Sequence, residues 1–304
     1  MAILQMRRFS ICAMKKNRKA ILEELQALGI MEVDMSAVSD ETLRKDNTQE
    51  MRQDFEKKAV QIDHALDVLQ EYAPEKTSMF ASLEGRALVE KEEYDRIVQK
   101  RDQILEKADE LLALKKQLAE NKAKIVKAEN QAEALTPWLT LDVPMEYQGT
   151  KTTAAFIGSF GSQLTLDQIY ERLAQEAPDL EAMDIQVISS DSDQTCVAAF
   201  CLRDQKEQME EALRSMGFSR PSMMSSKAPT QQKVDLEEEI KTLEQEGAKI
   251  EQAIQDYAQD RQEMKIISDY FRARAQRYEV LGEVLQSRRT FLISGYVPEK
   301  DVAA

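Results

Sequence analysis

Residues 236–285 read LEEEIKTLEQEGAKIEQAIQDYAQDRQEMKIISDYFRARAQRYEVLGEVL, and the fold turns on them. Leu236, Ile240, Leu243, Gly247, Ile250, Ile254, Tyr257, Arg261, Met264, Ser268, Phe271, Ala275, Tyr278, Gly282 and Leu285 keep one rhythm of four- and three-residue steps. That rhythm is the heptad seam of a helix packed on another helix. Eleven of these fifteen are apolar, and no proline falls between Gln231 and Val297. A continuous helix of about 60 residues spans roughly 90 Å and cannot bury such a stripe without a partner. Gly247 and Gly282 interrupt the stripe. Each costs a helix interior about 1 kcal/mol relative to alanine, so alanine at either is expected to raise the melting temperature.

Partner stripes lie earlier in the chain. Met51, Phe55, Lys58, Ile62, Ala65, Leu69 and Tyr72 alternate steps of four and three until Pro74, and 74–86 reads as a linker. A second helix is expected from about Glu90 to Leu135, ended by Pro137. Its seam runs through Tyr94, Ile97, Arg101, Ile104, Ala108, Leu111, Lys115, Leu118, Lys122 and Ile125, with more polar positions than the first.

The remaining segments read as two small α/β lobes. Ile3–Met14 is expected to be a strand, Asn17–Leu28 an amphipathic helix ended by Gly29, and Ile30–Met35 a second strand. Farther on, Thr153–Phe160, Met183–Ser189 and Thr195–Leu202 read as strands. Leu166–Ala177 and Asp204–Met216 read as helices, with Met216–Arg220 a short last strand. This β-α-β-β-α-β order fits a ferredoxin-like lobe. Thr290–Val297 is a final strand, placed by chain order to rejoin the first sheet. The expectation is an α+β, mainly helical chain, with two ferredoxin-like lobes at opposite ends of a long antiparallel coiled coil. Its divisions are 1–47 with 290–304, 48–149 with a break at 74–89, 150–228, and 229–289. A parallel homodimeric coiled coil is disfavoured, because sequential elements tend to pack as neighbours.

Composition agrees. Gly (9) and Pro (7) are scarce among 304 residues, which excludes an all-β sandwich, a Gly/Pro-rich disordered chain and a collagen-like rod. Lys+Arg 41 against Asp+Glu 55 leaves a net charge of −14, and the first 35 residues hold only six bases against four acids. Such a chain repels phosphate backbones, so no nucleic-acid partner is expected. Cys12, Cys196 and Cys201 are too few and scattered for a disulfide framework or a zinc site, and read as reduced, buried thiols. Arg7 and Arg8 interrupt the first apolar stretch, so it is no signal peptide, and no apolar run approaches the roughly 20 residues of a membrane span.

Catalytic patterns are missing. His64, the sole histidine, lies two residues past Ile62 and reads as a surface group. Gly158-Ser159-Phe160-Gly161 lacks the lysine of a phosphate loop and reads as a strand end with a turn. Glu237, Glu238 and Glu239 point to different sides of one helix and do not converge on a metal. Met216, Met223 and Met224 flank a Pro- and Ser-containing linker. No catalytic residue, metal, cofactor or small-molecule substrate is expected.

At the ends, Met1-Ala2-Ile3-Leu4-Gln5-Met6-Arg7-Arg8-Phe9 leads into the Arg18–Gly29 helix and the strand Ile30-Met31-Glu32-Val33. Phe291-Leu292-Ile293-Ser294-Gly295-Tyr296-Val297-Pro298-Glu299 follows the long helical run. In this order, these segments resemble the cytoplasmic half of the membrane-anchored stator subunit of rotary V-type ATPases. That subunit is called I in bacterial and archaeal enzymes and a in eukaryotes. The resemblance implies a non-catalytic stator part at the cytoplasmic face of a membrane complex. It implies two lobes that hold peripheral-stalk heterodimers of subunits E and G, with other subunits near the rotor as further neighbours. It also implies a C-terminal membrane domain carrying the proton or sodium half-channels and an essential arginine. The sequence ends at Ala304 without membrane helices, so this chain is expected to be a domain that moves no ions alone. A free cytosolic coiled-coil adaptor is the competing reading, and a ligand-sensing regulator a third.

Candidate docking residues lie on the outward faces of the lobe helices. They are Lys15, Lys16, Arg18 and Lys19 in the first lobe, and Gln168, Arg172, Gln175, Glu207, Glu211 and Arg214 in the second.

Overall fold

A computed structural model describes residues 4–36, 43–75, 88–221 and 225–302. In chain order the elements begin β1 (Met6–Met14), α1 (Arg18–Leu28), β2 (Glu32–Val33), β3 (Arg44–Lys45), α2 (Gln49–Tyr72), α3 (Lys91–Gln99) and α4 (Arg101–Ala134). Then come β4 (Thr153–Phe160), α5 (Leu166–Glu176), β5 (Met183–Ser190), β6 (Thr195–Leu202), α6 (Lys206–Ser215) and β7 (Phe218–Ser219). α7 (Pro229–Asp256), α8 (Arg261–Glu283), β8 (Leu285–Gln286) and β9 (Thr290–Pro298) complete the series. The chain divides into two units, residues 1–116 with 251–304, and residues 117–250. α4 and α7 each contribute residues to both.

In the first unit, β9 lies between β1 and β2 and runs antiparallel to both. Met6 faces Pro298, Met14 faces Thr290, and Glu32 faces Tyr296. β8 pairs with β9, and β3 with β8. The last strand thus joins the first sheet, as chain order predicts. Beneath the sheet lie Leu22, Leu281, Val284, Phe291 and Ile293. α1 closes this core because Ile21, Leu22 and Leu25 recur on one side of it. Gly29 ends α1 at φ 63°, a left-handed state that glycine adopts without a Cβ penalty.

α2 packs antiparallel on α8. The Phe55 ring lies 6.1 Å from Phe271 and 5.4 Å from Tyr278. Ser268 donates to Asp63 at 2.6 Å, and the Arg261 guanidinium donates to Leu69 O at 2.9 Å. Nearby, Lys107 meets Asp260 at 2.7 Å, and the Tyr257 hydroxyl donates to Glu110 at 2.5 Å.

The second unit has three layers. Its antiparallel sheet has the order β5-β6-β4-β7. Alternation along the strands sends Phe156, Phe160, Val197, Ala199 and Cys201 to one face, where they meet Ile169 and Leu173 of α5 and Met209 and Leu213 of α6. Ile157, Cys196 and Ala198 point the other way, toward Ala128, Ala132 and Leu135 of α4, Leu236 of α7, and Trp138. Thr165 caps α5, accepting from Gln168 N–H at 3.3 Å while Gln168 Oε1 accepts from Thr165 N–H at 3.0 Å. α4 and α7 are antiparallel in this unit, with Gly247 beside Leu118 and Asn121.

Several expectations need correction. The long returning helix is interrupted by a 3-10 turn at Tyr257–Asp260, which separates α7 from α8. The second helix is broken at Lys100, whose N–H turns back to Ile97 O at 2.9 Å. Leu285 lies in β8, because the backbone leaves the helix at Val284 (φ −65°, ψ 128°). Met51 is 45% exposed in the first turn of α2. Cys12 is exposed on β1, whereas Cys196 and Cys201 are buried and burial pushes both thiols up. Most of the expected 74–86 linker, and Met223 and Met224, lie outside the described residues.

Burial at the other predicted seam positions is graded. Ile62, Leu69, Ile104, Leu111, Leu118, Leu236, Leu243, Ile254, Met264 and Phe271 are buried. Phe55, Ile125, Ile240, Ile250, Tyr257 and Tyr278 are half-buried.

Candidate functional site

Chemistry at a site needs convergent groups. Among the described residues no group of three His, Cys, Asp or Glu could hold a metal ion. No described helix is long and apolar enough to cross a membrane. His64 is exposed on α2, in a shallow groove with Val60 and Leu112. Glu237, Glu238 and Glu239 are all exposed. What the fold offers is surface.

Four candidate residues lie where β1 turns into α1. Lys15, Lys16 and Lys19 are exposed. Lys15 N–H donates to Arg289 O at 2.8 Å, which sets the β8–β9 turn, with Arg288 and Arg289 exposed, beside it. These two arginines escape a search confined to the first lobe helix, and only the pairing of the last strand with the first brings them here. Arg18 behaves differently. Its guanidinium bonds Gln286 at 2.6 Å and Asp46 at 3.2 Å. Hydrogen bonds from Gln286 and Arg18 hold the Asp46 carboxyl below its ordinary value. Arg18 is a strut between α1 and the β3–β8 pair rather than a free contact.

The six residues of the second group fall on one layer. Gln168, Arg172 and Gln175 of α5, and Glu207, Glu211 and Arg214 of α6, are all exposed on the helices that cover one face of the sheet. Gln168 is already committed to the cap of α5. Arg214 lies 3.9 Å from Glu210, an exposed pair of the kind that contributes little.

A cleft of about 250 Å³ opens between α1 and α8, lined by Leu22, Leu25, Met31, Val33, Val280 and Ile293. At its mouth Arg277 bonds Glu23 at 2.5 Å and Gln26 at 2.9 Å. The C-terminal segment around Gly295 ties the ends of the chain together. A Cβ at Gly295 would overlap Glu32 O of β2, so glycine lets the two strands meet. Arg7 pairs with Glu299, and Arg8 lies 5.8 Å over the Tyr296 ring.

No protein-family model and no curated protein matches the sequence. Among solved structures, the crystal structure of the cytoplasmic N-terminal domain of subunit I, homolog of subunit a, of V-ATPase matches at 14% identity and a TM-score of 0.51. The match covers 96% of this chain and 93% of that one. The chain therefore has the fold of the cytoplasmic N-terminal domain of a V-ATPase subunit I.

Proposed function

We propose that the chain is a stator component of a rotary V-type ATPase. In that role it links the peripheral stalks mechanically to the membrane sector and supports proton or sodium transport coupled to ATP hydrolysis or synthesis. The observation that carries the proposal is the fold likeness running over 96% of this chain and 93% of the matched domain. The terminal segments that suggest the same family lie side by side as β1 and β9, which is the second support.

The chain is a non-catalytic part in this reading, at the cytoplasmic face of the complex, with a membrane domain as its continuation. The antiparallel helices act as a coiled coil, and the β-α-β-β-α-β lobe of the second unit is ferredoxin-like. The division into residues 1–47 with 290–304, 48–149, 150–228 and 229–289 belongs to the same proposal. Its partners are E/G heterodimers, docked on Lys15, Lys16 and Lys19 in one lobe and on Arg172, Gln175, Glu207, Glu211 and Arg214 in the other.

The test is a calorimetric titration with the purified E/G heterodimer of the same organism. Binding that weakens about tenfold when Lys15, Lys16 and Lys19 are together changed to Glu is the expected result, a loss of about 1.4 kcal/mol. Absence of binding by the unaltered chain refutes the assignment.

A further inference from the structure

We propose that the open edge of β1 is a strand-addition site for an extended, acidic segment of a partner polypeptide. The register decides which backbone groups are free. Lys15 N–H donates to Arg289 O at 2.8 Å, and Glu299 N–H donates to Gln5 O at 2.9 Å. Odd-numbered residues of this antiparallel pair therefore exchange their bonds with β9. Asp34 N–H donates to Ser294 O at 2.9 Å, so the even-numbered residues of β9 are turned to β2. Met6, Arg8, Ser10 and Cys12 direct their N–H and C=O groups, and Met14 its N–H, away from β9, to a side where no strand pairs among the described residues. All five are exposed.

Sheet edges are usually blunted by short length, a bulge, a proline or a charge standing over the edge. β1 is nine residues long, pairs without a register shift and contains no proline. Its two arginines are drawn back over their own sheet, Arg7 to Glu299 and Arg8 to Ser294 Oγ at 3.2 Å. By contrast β5, an edge of the other sheet, carries a register shift between Val187 and Ser189.

Charge selects the occupant. Lys15, Lys16, Lys19, Arg288 and Arg289 cluster at one end of β1, with no ion-pair partner among the described residues. On a chain of net charge −14 this is a local excess of cations, in which only Lys15 feels a nearby carboxylate, that of Asp46. A second copy of the chain, pairing edge to edge, would set Arg7 and Arg8 against its own lysines. An anionic membrane could meet the lysines but has no use for a row of backbone donors and acceptors. An acidic strand satisfies both features. The inference shares Lys15, Lys16 and Lys19 with the docking surface above, but it rests on the register of β1 and not on the stator assignment.

The probe is an acetylated and amidated nine-residue peptide of alternating Glu and Val, titrated at low salt against the isotope-labelled chain. A second peptide carries N-methyl groups on alternate amides and cannot complete a ladder. With the first peptide, amide exchange at Met6, Arg8, Ser10, Cys12 and Met14 is expected to slow about tenfold, and that at Arg7, Phe9, Ile11 and Ala13 to stay unchanged. Cys12→Pro removes an outward N–H and spares the ladder to β9, so it should weaken binding about tenfold at an unchanged circular dichroism spectrum. If that variant does not fold, the N-methyl peptide decides the same point. Equal binding by the N-methyl peptide, or no protection of the even-numbered amides, overturns the proposal. So does uptake onto anionic phospholipid vesicles without any peptide protection. Failure of the heterodimer titration leaves this result standing, so the two readings fail separately.

Discussion

Arg261 breaks the apolar rhythm of the returning helical run, yet only 5% of it is exposed. Its guanidinium donates to Leu69 O and Ala73 O at the C-terminal end of α2, with Glu75 at 3.6 Å. Consider Arg261→Met, which keeps the stem and much of the volume. Leu69 O retains the helical bond from Ala73 N–H at 2.8 Å. Ala73 O has no other donor among the described residues. One charge-assisted bond lost at a half-buried carbonyl costs about 1.5–3 kcal/mol, and the second adds up to about 1. The total is about 2–4 kcal/mol, which for a unit of this size lowers the melting temperature by roughly 4–16 °C. Replacing a buried ion pair with apolar groups can be neutral when both partners go. Here the acceptors are backbone and remain. Both bonds leave one nitrogen, Nη2. The ammonium of Arg261→Lys also carries several N–H donors but on a shorter stem, so it should recover about half the loss. Urea unfolding followed by circular dichroism measures the change, and amide exchange at the last turn of α2 localises it. A midpoint for Arg261→Met within about 0.5 kcal/mol of the parent would refute the capping role.

Gly282→Ala is expected to lower the melting temperature, contrary to the helix-propensity argument. The added methyl would sit 2.7 Å from Thr48 Oγ1, which is held by its bond to Tyr278 O at 2.6 Å. At Gly247 the methyl would lie 3.1 Å from Asn121 Oδ1, so the helix gain is offset and a shift within about 2 °C is expected. A scanning melt separates the two, and a rise for Gly282→Ala would show that Thr48 is free to move. Tyr257 is pushed up to about 12, chiefly by its hydrogen bond to Glu110. Its contribution to stability is complete below about 10, the unfolded value, and is lost as pH rises through the folded value. An alkaline absorbance titration should show Tyr257 ionising late, with Tyr94, which burial also raises, above the ordinary range as well, and Glu110→Gln should bring Tyr257 alone back down.

Much of this fold is legible in the sequence because alternation and helical rhythm are local. β4 and β6 match the predicted strands residue for residue, since each is a short, mostly apolar run buried on both faces and bounded by turn residues. β3 and β8 are two residues long and carry no periodicity. They exist because β9 and α8 bring them together. Side-chain rhythm also passes unbroken through Tyr257–Asp260, where the backbone tightens to a 3-10 turn. A seam records which side chains face inward, not which carbonyl each amide selects. Leu285 fits the count and still belongs to a strand. Of the surface candidates in the first lobe, Lys15, Lys16 and Lys19 are exposed. The commitment of Arg18 to Gln286, 268 positions away, has no signal in one dimension.

β9 has a consequence for biosynthesis. It is the inner strand that both β1 and β2 need, and it is the last of the described strands to be made. On the ribosome the 117–250 unit emerges as one uninterrupted piece and can close early. The other unit waits with its two strands unmatched until residue 298 has left the exit tunnel, some ten seconds or more later at about 5–20 residues per second. A nascent chain released before Thr290 keeps β1 bare on both sides, so proteolytic quality control would recognise an unfinished product by that strand.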